Sequence, residues 1–438
     1  MDRKRKLDST AEEAEEKGSL PQNDAISSQE ILAIILADDY ERLQENIENG
    51  KIEDVNLVIN IFTRSSLLMT ACKAGSVDCA KVLLSNNADV NYRGLVGSSA
   101  VSSAAEGGNI DIVNLIISRE DLNINLLYQP LHEHICDPSD FPLSTELVKL
   151  FISRLPDINY RLYGDSVLLN LASFFGRVDL ARLLLESGAD PNVTDQAQYD
   201  ALYIATMEGH IDIVKLLFEY DSPHKITTKS TNTAYLCACY YGRVDMVRYM
   251  LEHGADIYAT EENGCFAIDH ALLKNNIPLA KLLIEKGFDV NSIYLERSAL
   301  YFACAQRYEE MVQLLLDHGA DPDLRYPDGS SLLLRLVEGT CDKDGDYTPY
   351  TTLLLNRGAN VNIAHSISSQ TALMIAGAAA NADLLKLLLE HGADVTKVNS
   401  EGRSVLDMVG RTRSHAKVAE LCQAYIDSNR VDAKAILK

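Results

Sequence analysis

The sequence predicts an all-α solenoid of antiparallel helix pairs joined by short β-hairpin-like loops. A three-residue phrase of the type Asp-Val-Asn returns at intervals of 32 to 39 residues along most of the chain. Each interval holds the same internal order: a short helix with small residues, a glycine, a second helix with a leucine pair, then Gly-Ala-Asp or a variant of it.

The elements follow in chain order. Residues 1 to 27 are polar and lack a periodic apolar face, so they read as a disordered charged tail. The phrase then appears at Asp54-Val55-Asn56, Asp89-Val90-Asn91, Asn123-Ile124-Asn125, Asp157-Ile158-Asn159 and Asp190-Pro191-Asn192. It resumes at Asp256-Ile257-Tyr258, Asp289-Val290-Asn291, Asp321-Pro322-Asp323, Asn360-Val361-Asn362 and Asp394-Val395-Thr396. The 66 residues between Asp190 and Asp256 hold two units, the first of which degenerates at Tyr220-Asp221-Ser222-Pro223.

Within each unit, small residues let two helices approach closely. The mid-repeat glycines Gly75, Gly108, Gly176, Gly209 and Gly242 suit a left-handed helix terminus. Ser66, Ser99, Asp200, Thr233, Ser298, Ser331, Thr371 and Ser404 stand where a first helix would be capped. Two units depart in length: residues 129 to 161 lack the glycine, and residues 327 to 365 insert Cys341-Asp342-Lys343-Asp344-Gly345-Asp346. Degenerate terminal units at 28–58 and 400–430 read as caps, and 431–438 as a C-terminal tail.

This order resembles the ankyrin repeat family over residues 27 to 430, about ten to twelve units, although only Gln129-Pro130-Leu131-His132 keeps the family's Pro-Leu-His. The resemblance implies a protein-binding surface formed by loop fingertips and first helices, with no catalysis and no cofactor. By the same analogy the two positions before the mid-repeat glycine face the partner. They are Phe174-Phe175, Met207-Glu208 and Tyr240-Tyr241 in the central repeats, against Lys73-Ala74, Glu106-Gly107 and Ala378-Ala379 in flanking ones. Tyr163 and Tyr199 fall at fingertips; Tyr294, Arg297, Tyr301, Arg325 and Tyr326 extend the surface toward the C-terminus. Packing of these rings between repeats is the competing reading.

Charge and motifs narrow the function. Forty Lys and Arg against 63 Asp and Glu give a net charge of −23, which disfavours nucleic acid and favours a basic or mixed-charge, extended protein partner. The expectation is a monomer that does not insert into membranes, because no apolar run approaches a membrane span. Nine cysteines read as reduced thiols of an intracellular, cytoplasmic protein. Arg3-Lys4-Arg5-Lys6 is a candidate nuclear import signal.

Phosphate-loop, nucleophile-elbow, zinc-protease and dinucleotide motifs are not found. Cys237-x-Cys239 reads as core, since Cys72 and Cys304 fill like positions. His132-Glu133-His134-Ile135-Cys136 has poor helical spacing for a metal, and Asp342 to Asp346 lacks the terminal glutamate of a calcium loop. The function read here is therefore a noncatalytic protein-binding scaffold or adaptor. Its alternatives are a nuclear regulator or the substrate-recognition adaptor of a ubiquitin ligase; the second rests on a faint SOCS-box likeness at Leu421-Cys422-Gln423-Ala424-Tyr425-Ile426.

Overall fold

The computed structural model describes residues 26–60, 62–139, 143–162, 165–220, 228–294, 297–341, 345–409 and 413–436. It divides into two compact units, before and after Ile226. In the first, the described residues form six helix pairs, from Ser28–Leu36 with Tyr40–Glu48 to Ala201–Glu208 with Ile211–Glu219. In the second they form six more, from Thr228–Tyr241 with Val244–Glu252 to Val405–Met408 with Arg413–Ile436. Within each unit, first helices pack on neighbouring first helices and second helices on second, giving two layers. The final helix continues through Ile436, past the point where the sequence suggests the array stops.

The recurring phrase acts through its side chains. Its first residue closes a local turn, as where Asp89 Oδ1 accepts the Asn91 N–H at 2.9 Å. Its third residue reaches the next repeat: Asn56 Oδ1 accepts the Asp89 N–H at 2.7 Å, Asn91 that of Asn123 at 2.6 Å, and Asn362 that of Asp394 at 2.8 Å. Tyr258, in the asparagine's place, accepts the Asp289 N–H on its hydroxyl at 3.2 Å. The acids of the Gly-Ala-Asp phrase thus serve the loop.

Helix ends follow local chemistry. Gly75, Gly108, Gly176, Gly209 and Gly242 all have left-handed backbones, and the non-glycine residues Asp38, Asn275, Arg307 and Ala380 take the same conformation in other repeats. Ser66, Ser99, Asp200, Ser298, Ser331 and Thr371 accept the expected first-turn N–H. Ser404 instead donates to Asp407, three residues on. Thr233 is a correction: its helix starts at Thr228, so Thr233 lies inside it and its hydroxyl donates to the Lys229 carbonyl.

Beneath the fingers, interleaved leucine, alanine and valine side chains make the core, including Leu83, Ala104, Ile112, Leu184 and Ala205 in the first unit. In the second unit the last cluster joins Leu385 and Leu388 to Val418 and Cys422 of the final helix, with Leu421, Tyr425 and Ile426 packed against it.

Candidate binding surface

The surface is built where each first helix ends. In most repeats a left-handed residue turns the chain there and the one or two side chains before it are left at the rim, whereas the helix Tyr128–Cys136 ends on Asp137 in an extended conformation. In the first unit Phe174 is 44% exposed, and its ring meets Phe175 edge-on at 5.0 Å. Gly176 follows with φ +70°, and His210 Nε2 donates to the Phe174 carbonyl at 3.0 Å, so the imidazole lies against the glycine. One repeat on, Met207 is half-buried and Glu208 exposed. Tyr199 is half-buried because it stacks on Tyr203, centroids 4.1 Å apart, while buried Asn170 donates to its carbonyl.

In the second unit Tyr240 and Tyr241 are 49% and 46% exposed and meet edge-on at 5.1 Å. Cations sit on them: Lys274 Nζ lies 4.1 Å from the Tyr240 centroid, and Arg243 lies 5.5 Å from that of Tyr241. The rim here is basic and aromatic although the chain is acidic overall. Tyr240 also abuts the ring of buried His270, whose Nε2 is 3.0 Å from Glu261 Oε1.

Other expected positions behave differently. Tyr163 lies outside the described residues, as do the side chains of Tyr294 and Arg297, whose backbones pair in a two-residue hairpin. Tyr326 does not extend the surface. It is buried, its hydroxyl 2.8 Å from that of Ser298 and the Arg335 guanidinium 3.9 Å from its centroid. Arg325 spends its guanidinium on the Ala364 carbonyl and Ser366. The tail with Arg3 to Lys6 and residues 342–344 of the acidic insertion also lie outside the described residues.

Two exposed apolar positions escape the sequence reading. Leu36, 61% exposed, precedes left-handed Asp38 by two residues, and Leu273, 57% exposed, precedes left-handed Asn275 likewise. Both share the register of Phe174 and Tyr240, hidden because no glycine marks it. Leu36 joins Leu32, Phe62, Ile59 and Met69 around a groove of about 600 Å³.

The chemistry on offer is contact, with little sign of reactivity. Burial pushes the Cys304 thiol up to about 12, and burial with nearby Asp38 does the same for Cys79, so both are protonated at neutral pH. Cys237 and Cys239 are buried in their helix. Of the histidine cluster, His134 Nδ1 accepts the Leu143 N–H, and among the described residues no group of three or more metal-type side chains converges. No helix among them is long and apolar enough to cross a membrane.

Comparison with known families matches ankyrin repeats in three stretches, residues 31–127, 169–261 and 256–326, and a single ankyrin repeat at 369–400. The chain belongs to the ankyrin repeat family. The ankyrin matches skip residues 128–168, where the unit without a mid-repeat glycine falls.

Among curated ankyrin relatives, an ankyrin repeat and KH domain-containing protein of Caenorhabditis briggsae is 32% identical over 30% of this chain and 5% of its own length. Human palmitoyltransferase ZDHHC17 is 28% identical over 35% of this chain and 29% of its own. Ankyrin repeat and SOCS box protein 11 of Danio rerio is 31% identical over 29% of this chain and 43% of its own. The chain thus spans less than half of each. A solved ankyrin repeat domain from Acinetobacter baumannii is 27% identical, with 44% of this chain and 96% of that one covered at a TM-score of 0.38.

Proposed function

We propose that this ankyrin chain is a noncatalytic scaffold whose protein partner seats on the rim where first helices end. The observation that carries the reading is the set of half-exposed apolar side chains at the ends of first helices: Phe174 in the first unit, Tyr240, Tyr241 and Leu273 in the second. Large rings held by their neighbours add contact area at small entropic cost, the usual make-up of interface anchors. In the second unit Lys274 and Arg243 favour an acidic group on a partner beside Tyr240 and Tyr241; in the first, exposed Glu208 favours a basic one.

The adaptor alternative is weaker on structural grounds, because Leu421, Cys422, Tyr425 and Ile426 are spent on packing the last repeat. The palmitoyltransferase shares only part of its length with this chain, and no activity is carried over from its name. Nuclear residence through Arg3 to Lys6 is a separate proposal, tested by deleting residues 1 to 8 and following localisation.

The test is quantitative binding to a partner captured by the intact chain. Phe175→Ala with Tyr241→Ala should weaken it at least tenfold, whereas Arg182→Ala with Arg248→Ala, on exposed second-helix positions, should leave it within twofold. The reverse pattern would move the interface to the other layer.

A further inference from the structure

One repeat of the second unit carries phenylalanine at two positions where the others do not. Phe266 stands at the first-helix cap, filled in most other repeats by Ser, Thr or Asp, and Phe288 replaces the alanine of Gly-Ala-Asp. Phe266 has no oxygen with which to cap the helix. Asp269, three residues on, compensates by accepting the Phe266 N–H on Oδ2 at 2.8 Å. The two rings lie 6.1 Å apart, and Tyr258 packs on Phe288 at 5.5 Å.

The bulk of these rings holds open a cavity of about 310 Å³ between the helices Ala267–Leu273 and Ala299–Ala305. Its apolar lining includes buried Ile268, Leu272 and Phe288, half-buried Phe302 and exposed Leu273. Among the described lining residues the one charged side chain is Asp269. The nearest lysine in sequence, Lys274, is turned away onto the Tyr240 ring and carbonyl. His270 acts on the carboxylate but is engaged with Glu261. Burial raises the Asp269 carboxyl above its usual range, so a cation delivered there is favoured.

We propose that this cavity receives a bulky apolar side chain of an extended partner segment with a lysine or arginine within a residue or two of it, the cation meeting Asp269. The assignment rests on the protein-binding reading and adds a subsite with its own chemistry: a volume of about 310 Å³ for a ring or branched chain, and the Asp269 carboxylate at its wall. It differs from the Tyr240 rim, whose cations call for an acid.

The experiment uses the full chain and two small probes with the same ring and opposite charge, 2-phenylethylammonium and 3-phenylpropionate, followed by the methyl resonances of Ile268, Leu272 and Leu273. The ammonium probe should shift these methyls and bind roughly three- to tenfold more tightly than its carboxylate twin, the range of a partly exposed charge pair. Asp269→Asn, which keeps an oxygen for the Phe266 N–H, should bring that ratio to about one. Ser292→Phe, filling the cavity from its wall, should abolish both shifts. Equal binding of the two probes to the unaltered chain would overturn the charge assignment, and no methyl shift with either would overturn the pocket. Neither result bears on Phe174 or Tyr241, so the subsite and the wider binding surface fail separately.

Discussion

Removing Tyr240 should cost the fold less than removing Tyr235 from the same helix, and cost binding more. A fully buried tyrosine covers about 150–250 Å². Tyr240 is 49% exposed, so roughly 100 Å² is withdrawn from water by the fold and a similar area is left for a partner. At about 25 cal/mol per Å² the withdrawn half is worth up to ~2.5 kcal/mol, nearer ~2 kcal/mol once the unfolded chain's own burial is discounted. Tyr235 is buried completely, and its truncation leaves a cavity, a loss of about 3–5 kcal/mol. Urea denaturation followed by circular dichroism gives both numbers. Titration calorimetry on the same Tyr240→Ala protein should show a binding loss of about 1–2 kcal/mol, typical of an anchor residue. A Tyr240→Ala protein as destabilised as Tyr235→Ala, yet binding as well as the parent, would make the ring a packing element and not an anchor.

Three further outcomes follow from individual contacts. Asn91→Ala removes the acceptor of the Asn123 N–H and the donor to the Asp121 carbonyl, and should cost about 1–2 kcal/mol in urea denaturation. Asn125→Ala should cost under about 0.5 kcal/mol, because the Tyr128 hydroxyl serves Asp157 there; equal losses would contradict the bridging role. Gly176→Ala places a Cβ 2.7 Å from the His210 ring, whereas Gly108→Ala meets nothing within 4 Å, at nearly the same positive φ. The first should therefore be about 1 kcal/mol more destabilising, the worth of the His210 hydrogen bond it displaces, and the excess should vanish in a His210→Ala background. Asp328 is held down to about 2 by the Ser330 hydroxyl and N–H and by Arg335, against 3.8 when free. It stays ionised in the folded chain as the unfolded one protonates, so its stabilisation is complete above 3.8 and disappears as the pH falls toward 2. Asp328→Asn should flatten that part of the acid limb, and an unchanged limb would contradict the assignment.

The repeat order was legible because its cause is local. Asp-x-Asn turns, capping hydroxyls and left-handed glycines act within a few residues, and all three left marks at fixed spacing. Thr233 misled because the degenerate segment after Tyr220 is followed by a helix that begins before the usual cap. Leu36 and Leu273 went unseen for the opposite reason: Asp38 and Asn275 adopt the left-handed turn without being glycine, so the register carried no mark. Whether a ring ends exposed, as Tyr240 does, or buried under Arg335, as Tyr326 is, depends on a residue in another repeat. The Phe266–Phe288 cavity is a tertiary product of two substitutions 22 residues apart; each alone reads as a drifted consensus.

On the proposed reading, partners contact the ends of the first helices. The direct measurement places a photo-crosslinking phenylalanine analogue, one position at a time, at Phe174 and Tyr240, and at Arg182 and Arg248 on exposed second-helix positions, followed by mass spectrometry of the adducts with a purified partner. Adducts are expected from at least one of the two rim positions and none above background from the arginine positions. Adducts from Arg182 or Arg248 with both rim positions silent would put the interface on the second-helix layer instead.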